Sequence, residues 1–420
     1  MIENQVYIIQ RSELKQIEEL PEVLEKKAGC NILRWYISRI KNDEIVVEAT
    51  LYPEGGCFFS GDPVGTDFPG KSVVVSLIPT GIGCEIGGYA ADAAPVTSLL
   101  ASCTDYLITN PNAVNASNFI SMGSNVLYCE GYIIDLFCKG LVNLYKPYAN
   151  KVGLIIEKAS QKELEIVFNI INTVRAVHGV DIEHYVVTGD YIGGHCVRTA
   201  SGAYVGKIDN PGVLFKACDY LMGKGVNAIA VTSNIKDLPM ENYANHFRGE
   251  HPNPVGGAEA VISHLVCGTY KVPCAHAPMM NFKDMKLKDG IVDARGAGEY
   301  LSVSGLACVL IGLSKAPQIE SNGIFRNLTE DVVNINNLLA VVAPAGALGG
   351  IPMLYVVRYG VPVIAVRNNR TILDVTRDKL SLGNVIEVEN YVEAAGIIQA
   401  LRRGISIGSL YRPLKTLKFY

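Results

Sequence analysis

No Cys-x-x-Cys pair occurs anywhere in the 420 residues, although the chain holds 11 cysteines. They stand at 30, 57, 84, 103, 129, 138, 196, 218, 267, 274 and 308, widely spaced among mostly apolar neighbours. A structural zinc site favours paired short spacings, so no metal site is expected and the thiols read as reduced and buried. Long apolar runs are missing too. LACVLIGL, residues 306–313, falls far short of the roughly 20 residues a membrane-spanning helix requires. The opening MIENQVYIIQRSELKQIEELPEVLEKK is charged within a few residues and has no apolar core of signal-peptide length. These absences predict a soluble, cytoplasmic protein without membrane contact. There is no basic stripe: 37 Lys and Arg face 41 Asp and Glu, for a net charge of −4, which argues against nucleic acid as a partner. Neither GxGxxG nor a Walker lysine is found, so no redox or nucleotide cofactor is expected.

What is present is a densely apolar chain, 49% hydrophobic and 19% charged, long enough for more than one domain. Apolar runs such as SVVVSLIP (72–79), KVGLIIE, NAIAVTSN and LLAVVAP alternate with amphipathic stretches such as QKELEIVFNIINTVRAVHG and YVEAAGIIQALRRG. Strand–helix alternation of this kind predicts an α/β fold of largely parallel sheets with helices on the faces. The expected organisation is a helix and strand extension over 1–70, a main α/β domain over 71–320 and a C-terminal α/β subdomain over 321–420. A homo-oligomer is expected, and a non-catalytic sensor or assembly role would form it through the Tyr-containing segment around 128–148.

Three glycine passages share a phrase: PTGIGCEIGGYAADAAP near residue 79, PVGGAEAVISHLVCGTYKVPCAHAP over 254–278, and PAGALGGIPMLYVVRYGVPVIAV near 344. Each reads as a Pro-x-Gly turn, a helix and an apolar strand with a polar tip. A true repeat with internal pseudo-symmetry and a coincidence of a common α/β phrase both remain open. Glycine turns that open helices expose backbone N–H groups to anions. Candidate substrate-binding positions are therefore Thr80, Gly81, Gly83, Asn110, Asn112, Gly256, Gly257, Gly346, Gly349 and Gly350. For the glycines, close helix–sheet packing is the competing explanation. The stretch GALGGIPMLYVVRYGVPVIAVRNNRT resembles the diphosphate-binding half of GT-B nucleotide-sugar transferases and epimerases, which would give Arg367 and Arg370 an anion to hold.

Acid–base candidates lie in the same passages. His276 follows an apolar strand at the place where α/β ligand sites form, and Cys274 lies on the same side of that strand. Glu259 and Ser263 share a helix face with His264 one position on; Glu259 also suits a capping role. Glu130 follows a strand, with Asp135 a helical turn later, and Asp92 is a charge inside a small-residue segment. In TGDYIGGHCVRTASG, Asp190, His195 and Arg198 form either a flap or an exposed hairpin.

Taken in order, PTGIGCEIGGYAADAAPV, DYLITNPNAVNASN, NVLYCEGYIIDLF, KVGLIIE, NAIAV, GGAEAVISHL and VPCAHAPM resemble the functionally uncharacterised family called domain of unknown function 3326, over about residues 72–317. That resemblance implies no particular activity and supplies no catalytic residue. From the residues themselves, the leading expectation is an enzyme that acts on a small carboxylate or amino-acid-like metabolite by acid–base chemistry. A nucleotide-sugar transferase or epimerase and a non-catalytic metabolite-binding or assembly protein are the alternatives.

Overall fold

Apolar runs without polar alternation fit strands covered on both faces, and the chain places them there. The computed structural model describes residues 2–53, 70–88, 93–120 (backbone only for 116–120), 122–236, 241, 245–246, 248–279, 305–320 and 332–419. Three strands come first: β1 (Glu3–Gln10), β2 (Asn31–Lys41) and β3 (Glu44–Tyr52), with α1 (Leu20–Ala28) between β1 and β2. They pair antiparallel in the order β1-β3-β2.

Alternation then sets in with β4 (Val73–Ser76), α2 (Ala94–Ala101), β5 (Tyr106–Thr109), α3 (Pro111–Ile120), β6 (Val126–Tyr128) and α4 (Gly131–Cys138). Next come β7 (Asn143–Tyr145), β8 (Val152–Ile156), α5 (Gln161–His178), β9 (Tyr185–Val187), β10 (Gly194–Arg198) and β11 (Tyr204–Ile208). They are followed by α6 (Pro211–Met222), β12 (Ala228–Ser233), β13 (Ile235–Lys236), α7 (Gly256–Tyr270) and β14 (Cys274–Pro278). The remaining elements are α8 (Leu306–Ser314), β15 (Gln318–Glu320), β16 (Val332–Val333), β17 (Leu338–Pro344), α9 (Ile351–Val356), β18 (Val363–Val366), α10 (Arg377–Leu380), β19 (Val385–Val388) and α11 (Tyr391–Arg402).

Two parallel sheets organise the core, as the alternation predicts. The larger runs β19-β18-β17-β4-β5-β6 and the smaller β14-β12-β8-β9. Strands β4, β5, β8, β12 and β18 are buried at every residue. The larger sheet crosses the domain boundary expected at residue 320, because β17 pairs directly with β4 and carries β18 and β19 with it. Strands β17, β18 and β19 are thus tied into the main domain by backbone hydrogen bonds.

In the larger sheet the chain moves outward from β4 through β5 to β6 on one side, and from β17 through β18 to β19 on the other. The connections diverge at the C-terminal ends of β4 and β17, where open α/β sheets form a binding crevice. The smaller sheet has a corresponding point between β8 and β12, and there Glu157, 1% exposed, fills it. Its carboxylate accepts the backbone N–H groups of Ile192 at 2.7 Å, Gly193 at 3.1 Å and Asn234 at 2.9 Å.

Of the three glycine passages, the third follows the expected order of strand, turn, helix and strand through β17, α9 and β18. The first fills 79–88 with turns, and α2 starts only at Ala94. In the second, residues 234–255 separate β12 from α7. Asp92 and most of the Gly-rich stretches at 54–71 and 285–305 lie outside the described residues.

Helix α7 lies close against β11 because glycine lines both sides of the contact. A Cβ on Gly206 would stand 2.4 Å from Ala258 Cα, and one on Gly257 would stand 2.6 Å from Val205 Cα. Gly206→Ala should therefore lose roughly 1–3 kcal/mol of stability in urea unfolding through overpacking. Gly212→Ala, where a Cβ meets nothing within 4 Å, serves as the control. Equal unfolding midpoints for the two variants would refute the close-packing account.

Candidate functional site

A cavity of about 230 Å³ opens at the crevice between β4 and β17. Its walls come from the segment after β4, the N-terminal turns of α3, α4, α7 and α9, the strand β14 and, unexpectedly, residues 34–37 of β2. Thr80, Gly256, Gly349 and Gly350 all line it, so the three glycine passages do meet around one space. The N-terminal extension therefore belongs to the site.

Glu130 lies at the centre of the polar wall. It is 4% exposed and caps α4 by accepting the Tyr132 N–H on Oε2 at 2.7 Å. Its Oε1 accepts the Ser263 hydroxyl at 3.0 Å and lies 2.5 Å from His264 Nδ1, an ion-pair contact without the alignment of a hydrogen bond. Nδ1 is turned to Glu130, and His264 lines the cavity. Asp135, one turn further along α4, also faces the cavity. Burial lifts its carboxyl to about 7, against the opposing pull of His264, Lys139 and Arg34.

A second carboxylate–histidine pair stands on α7 and β14. Glu259 Oε1 is 3.5 Å from His276 Nδ1, and His276 Nε2 is 2.8 Å from Ser233 Oγ. The order Glu–His–Ser resembles a nucleophilic triad. Ser233, however, is fully buried and does not line the cavity, so its hydroxyl is closed to a substrate there. This network orients His276 and leaves Glu259 at the cavity wall.

Arg34 is the cationic side chain of the lining. Its Nη1 is buried without a hydrogen-bond partner, and burial pushes the guanidinium's pKa down. It stacks at 6.0 Å over the Tyr36 ring, and the Tyr36 hydroxyl bonds the buried Glu48.

The other expected positions divide. Asn110 lines the cavity, but its amide clamps Ile78, accepting that residue's N–H at 3.0 Å and donating to its carbonyl at 2.9 Å. Asn112 donates to the Gly87 carbonyl at 2.8 Å. Gly81, Gly83, Gly257 and Gly346 lie outside the lining. A Cβ on Gly81 would stand 2.5 Å from the Tyr204 carbonyl, so close packing explains that glycine where an anion cradle was the rival. Arg367 is exposed and paired with Glu387 at 2.5 Å, and Arg370 is exposed as well; neither reaches the cavity. Cys274, a candidate beside His276, does not pair with it: burial pushes the thiol well up, and His276 turns to Ser233 and Glu259 instead. His195 sits on the β10–β11 hairpin, 2.7 Å from Asp209, away from the site. Tyr128, Phe137 and Cys138 are buried in the chain's own core, which removes much of 128–148 as an oligomer contact. Among the described residues no group of three or more His, Cys, Asp or Glu is arranged to hold a metal ion.

Sequence reasoning singled out Glu130, Glu259, His264 and His276, and it noticed Asp135 only as a neighbour. Arg34 and Tyr36 were missed, although an arginine between apolar residues in ILRWYIS was a readable signal. The Asp135 shift has a direct consequence for stability. Its folded pKa lies above the unfolded carboxylate value of about 4, so the folded chain holds the extra proton between about 4 and 7. Stability from this group is accordingly lost as pH rises through that window. The melting temperature of Asp135→Asn relative to the parent should climb from pH about 5 to about 8. A difference that stays constant with pH would remove the buried carboxyl from the account.

Comparison with known proteins adds a family but no activity. The family described as protein of unknown function (DUF3326) matches residues 73–411. An uncharacterized lipoprotein of Synechococcus sp. is 35% identical over 347 residues, which cover 81% of this chain and 94% of that protein. No solved structure matches. The cytoplasmic placement expected from the sequence is corrected by this relative, whose name points to a membrane-anchored location. Among the described residues no helix is long and apolar enough to cross a membrane. With most of its length matched, from β4 to just beyond α11, the chain belongs to the DUF3326 family of proteins of unknown function.

Proposed function

We propose that the protein is an enzyme that acts on a small anionic metabolite by acid–base chemistry, as an isomerase, lyase or hydrolase. The observation that carries this reading is the Glu130–His264 contact at 2.5 Å beside an Asp135 carboxyl held at about 7, both on the wall of one cavity. A base needs a proton affinity near the working pH, and an acid must still hold its proton there. In this scheme His264 Nε2 takes a proton from the substrate, and Glu130 stabilises the resulting imidazolium. Asp135 in its protonated form delivers a proton to the atom that gains electrons. Arg34 holds the substrate's negative charge through the charge-assisted hydrogen bonds a guanidinium makes. The missing dinucleotide fingerprint favours chemistry of this kind over hydride transfer.

The test starts from the purified chain incubated with a cell metabolite extract, with mass spectrometry identifying the compound consumed. His264→Asn should then lower turnover by about 10²–10⁴-fold, the usual contribution of a general base. His276→Asn should cost less, because both of its nitrogens already face protein groups. Full turnover by His264→Asn would overturn the mechanism. Following the name of its relative, the protein is also expected in the membrane fraction of its cells. Recovery entirely in the soluble fraction would count against that placement.

A further inference from the structure

We infer that the ligand of this cavity is a monocarboxylic acid with a compact apolar body, its carboxylate on Arg34 and its body against Ile37, Leu77, Ile78 and Leu373. The inference deepens the proposed function by naming the substrate class, and it rests on the same cavity being the substrate site.

The anchor comes first. Arg34 Nη1 is buried with no hydrogen-bond partner among the described residues. A buried guanidinium left without a partner is costly, and a planar carboxylate matches its fork of donors in paired fashion. The nearby carboxyl groups Glu130, Asp135 and Glu48 act on Arg34 through the field, and none forms an ion pair with it. Glu130 is engaged with His264, Ser263 and the α4 backbone, and Glu48 with Tyr36.

Charge then sets the valence. Among the described residues the lining offers one Arg or Lys, Arg34, against the three carboxyl groups of Glu130, Asp135 and Glu259. A monoanion is balanced by Arg34 alone. A phosphate dianion would bring a second negative charge into a wall already rich in carboxyl groups, with no second Arg or Lys among the described lining residues to pair it. This separates a carboxylate from a phosphorylated ligand.

The body of the ligand follows from the strand. Residues 34–37 of β2 all line the cavity, and the three residues of extended chain from Arg34 to Ile37 span about 10 Å. At the Ile37 end the walls are apolar: the Ile37 N–H bonds the Gly349 carbonyl at 3.0 Å, and Ile351 and Leu373 line the space beside it. An apolar cavity of about 150 Å³ accepts benzene. The 230 Å³ here leaves room for a ring-sized or branched body together with a carboxylate.

Thermal shift and calorimetric titration of the full chain test this directly. The probes are phenylacetate and 4-methylpentanoate, compared with acetate, phenylacetamide and inorganic phosphate. The two apolar carboxylates should raise the melting temperature and bind at least tenfold more tightly than the other three. Arg34→Met should weaken phenylacetate binding at least tenfold, and Arg34→Lys should weaken it less. Should Arg34→Met fail to fold, Leu373→Trp fills the apolar end and should abolish binding of phenylacetate. Phosphate or phenylacetamide binding as tightly as phenylacetate would overturn the inference, as would phenylacetate affinity unchanged by the Arg34 or Leu373 substitutions. Binding is read without turnover, so a protein that binds phenylacetate yet converts no metabolite overturns the catalytic reading and leaves this one standing.

Discussion

A single carboxylate joins the two halves of the molecule. Glu130 caps α4, which leaves the edge strand β6 of the larger sheet, and contacts Ser263 and His264 of α7, which leads into β14 of the smaller sheet. A buried carboxylate costs several kcal/mol unless its lone pairs are matched. The fold meets that demand with a backbone N–H, a hydroxyl and an imidazole drawn from both helices. The relative placement of the helices and the geometry of the acid–base pair are therefore one constraint. Whatever shifts α7 against α4 also changes the environment of His264.

The same constraint explains why the negative charges of the site are not interchangeable. Glu130 sits at the N-terminus of α4 and Glu259 in the first turn of α7, where each helix favours an anion. Each also has a histidine within 3.5 Å. Asp135 has neither advantage. It lies a turn inside α4, and burial wins over the attraction of its charged neighbours. Asp135 is thus the carboxyl group of this wall that burial pushes toward holding its proton. The smaller sheet shows the opposite solution. At its switch point the fold supplies its own anion, Glu157, to three backbone N–H groups, and nothing remains for a ligand to do.

Much of the parallel core was legible because burial on both faces leaves a clear mark: SVVVSLIP, KVGLIIE, NAIAVTSN and VPVIAV all became strands. The shared phrasing of the three glycine passages was also readable, but their meeting around one space comes from tertiary packing, because the second passage belongs to the smaller sheet. The job of the glycines was not readable. Close packing and anion binding call for the same residue, and only the distance from Gly81 to the Tyr204 carbonyl decides between them. The pairing of β17 with β4, which sets the crevice, joins segments more than 250 residues apart, and no local pattern encodes it. Arg34 escaped notice for a related reason. Its neighbourhood was read only as part of a helix and strand extension over 1–70, and only tertiary packing brings β2 over the crevice.

That origin gives the site a division of labour. Glu130, Asp135, Glu259, His264 and His276 all fall within the matched family residues 73–411, whereas Arg34, Tyr36 and Ile37 come before them. In the proposed scheme the proton-moving groups thus belong to the α/β framework, and the grip on the ligand's charge comes from a separate antiparallel sheet. The two are registered by backbone contact, since the Ile37 N–H bonds the Gly349 carbonyl at 3.0 Å at the turn that opens α9. A Cβ on Gly349 would stand 2.6 Å from Ile37 Cβ, so strand and turn touch with no space between them. Contact this close fixes the distance from Arg34 to the crevice. Under the proposed reading, a ligand held at one end by the guanidinium would present its reacting atoms at a set depth beside His264, and selectivity for ligand length would follow from that rigidity.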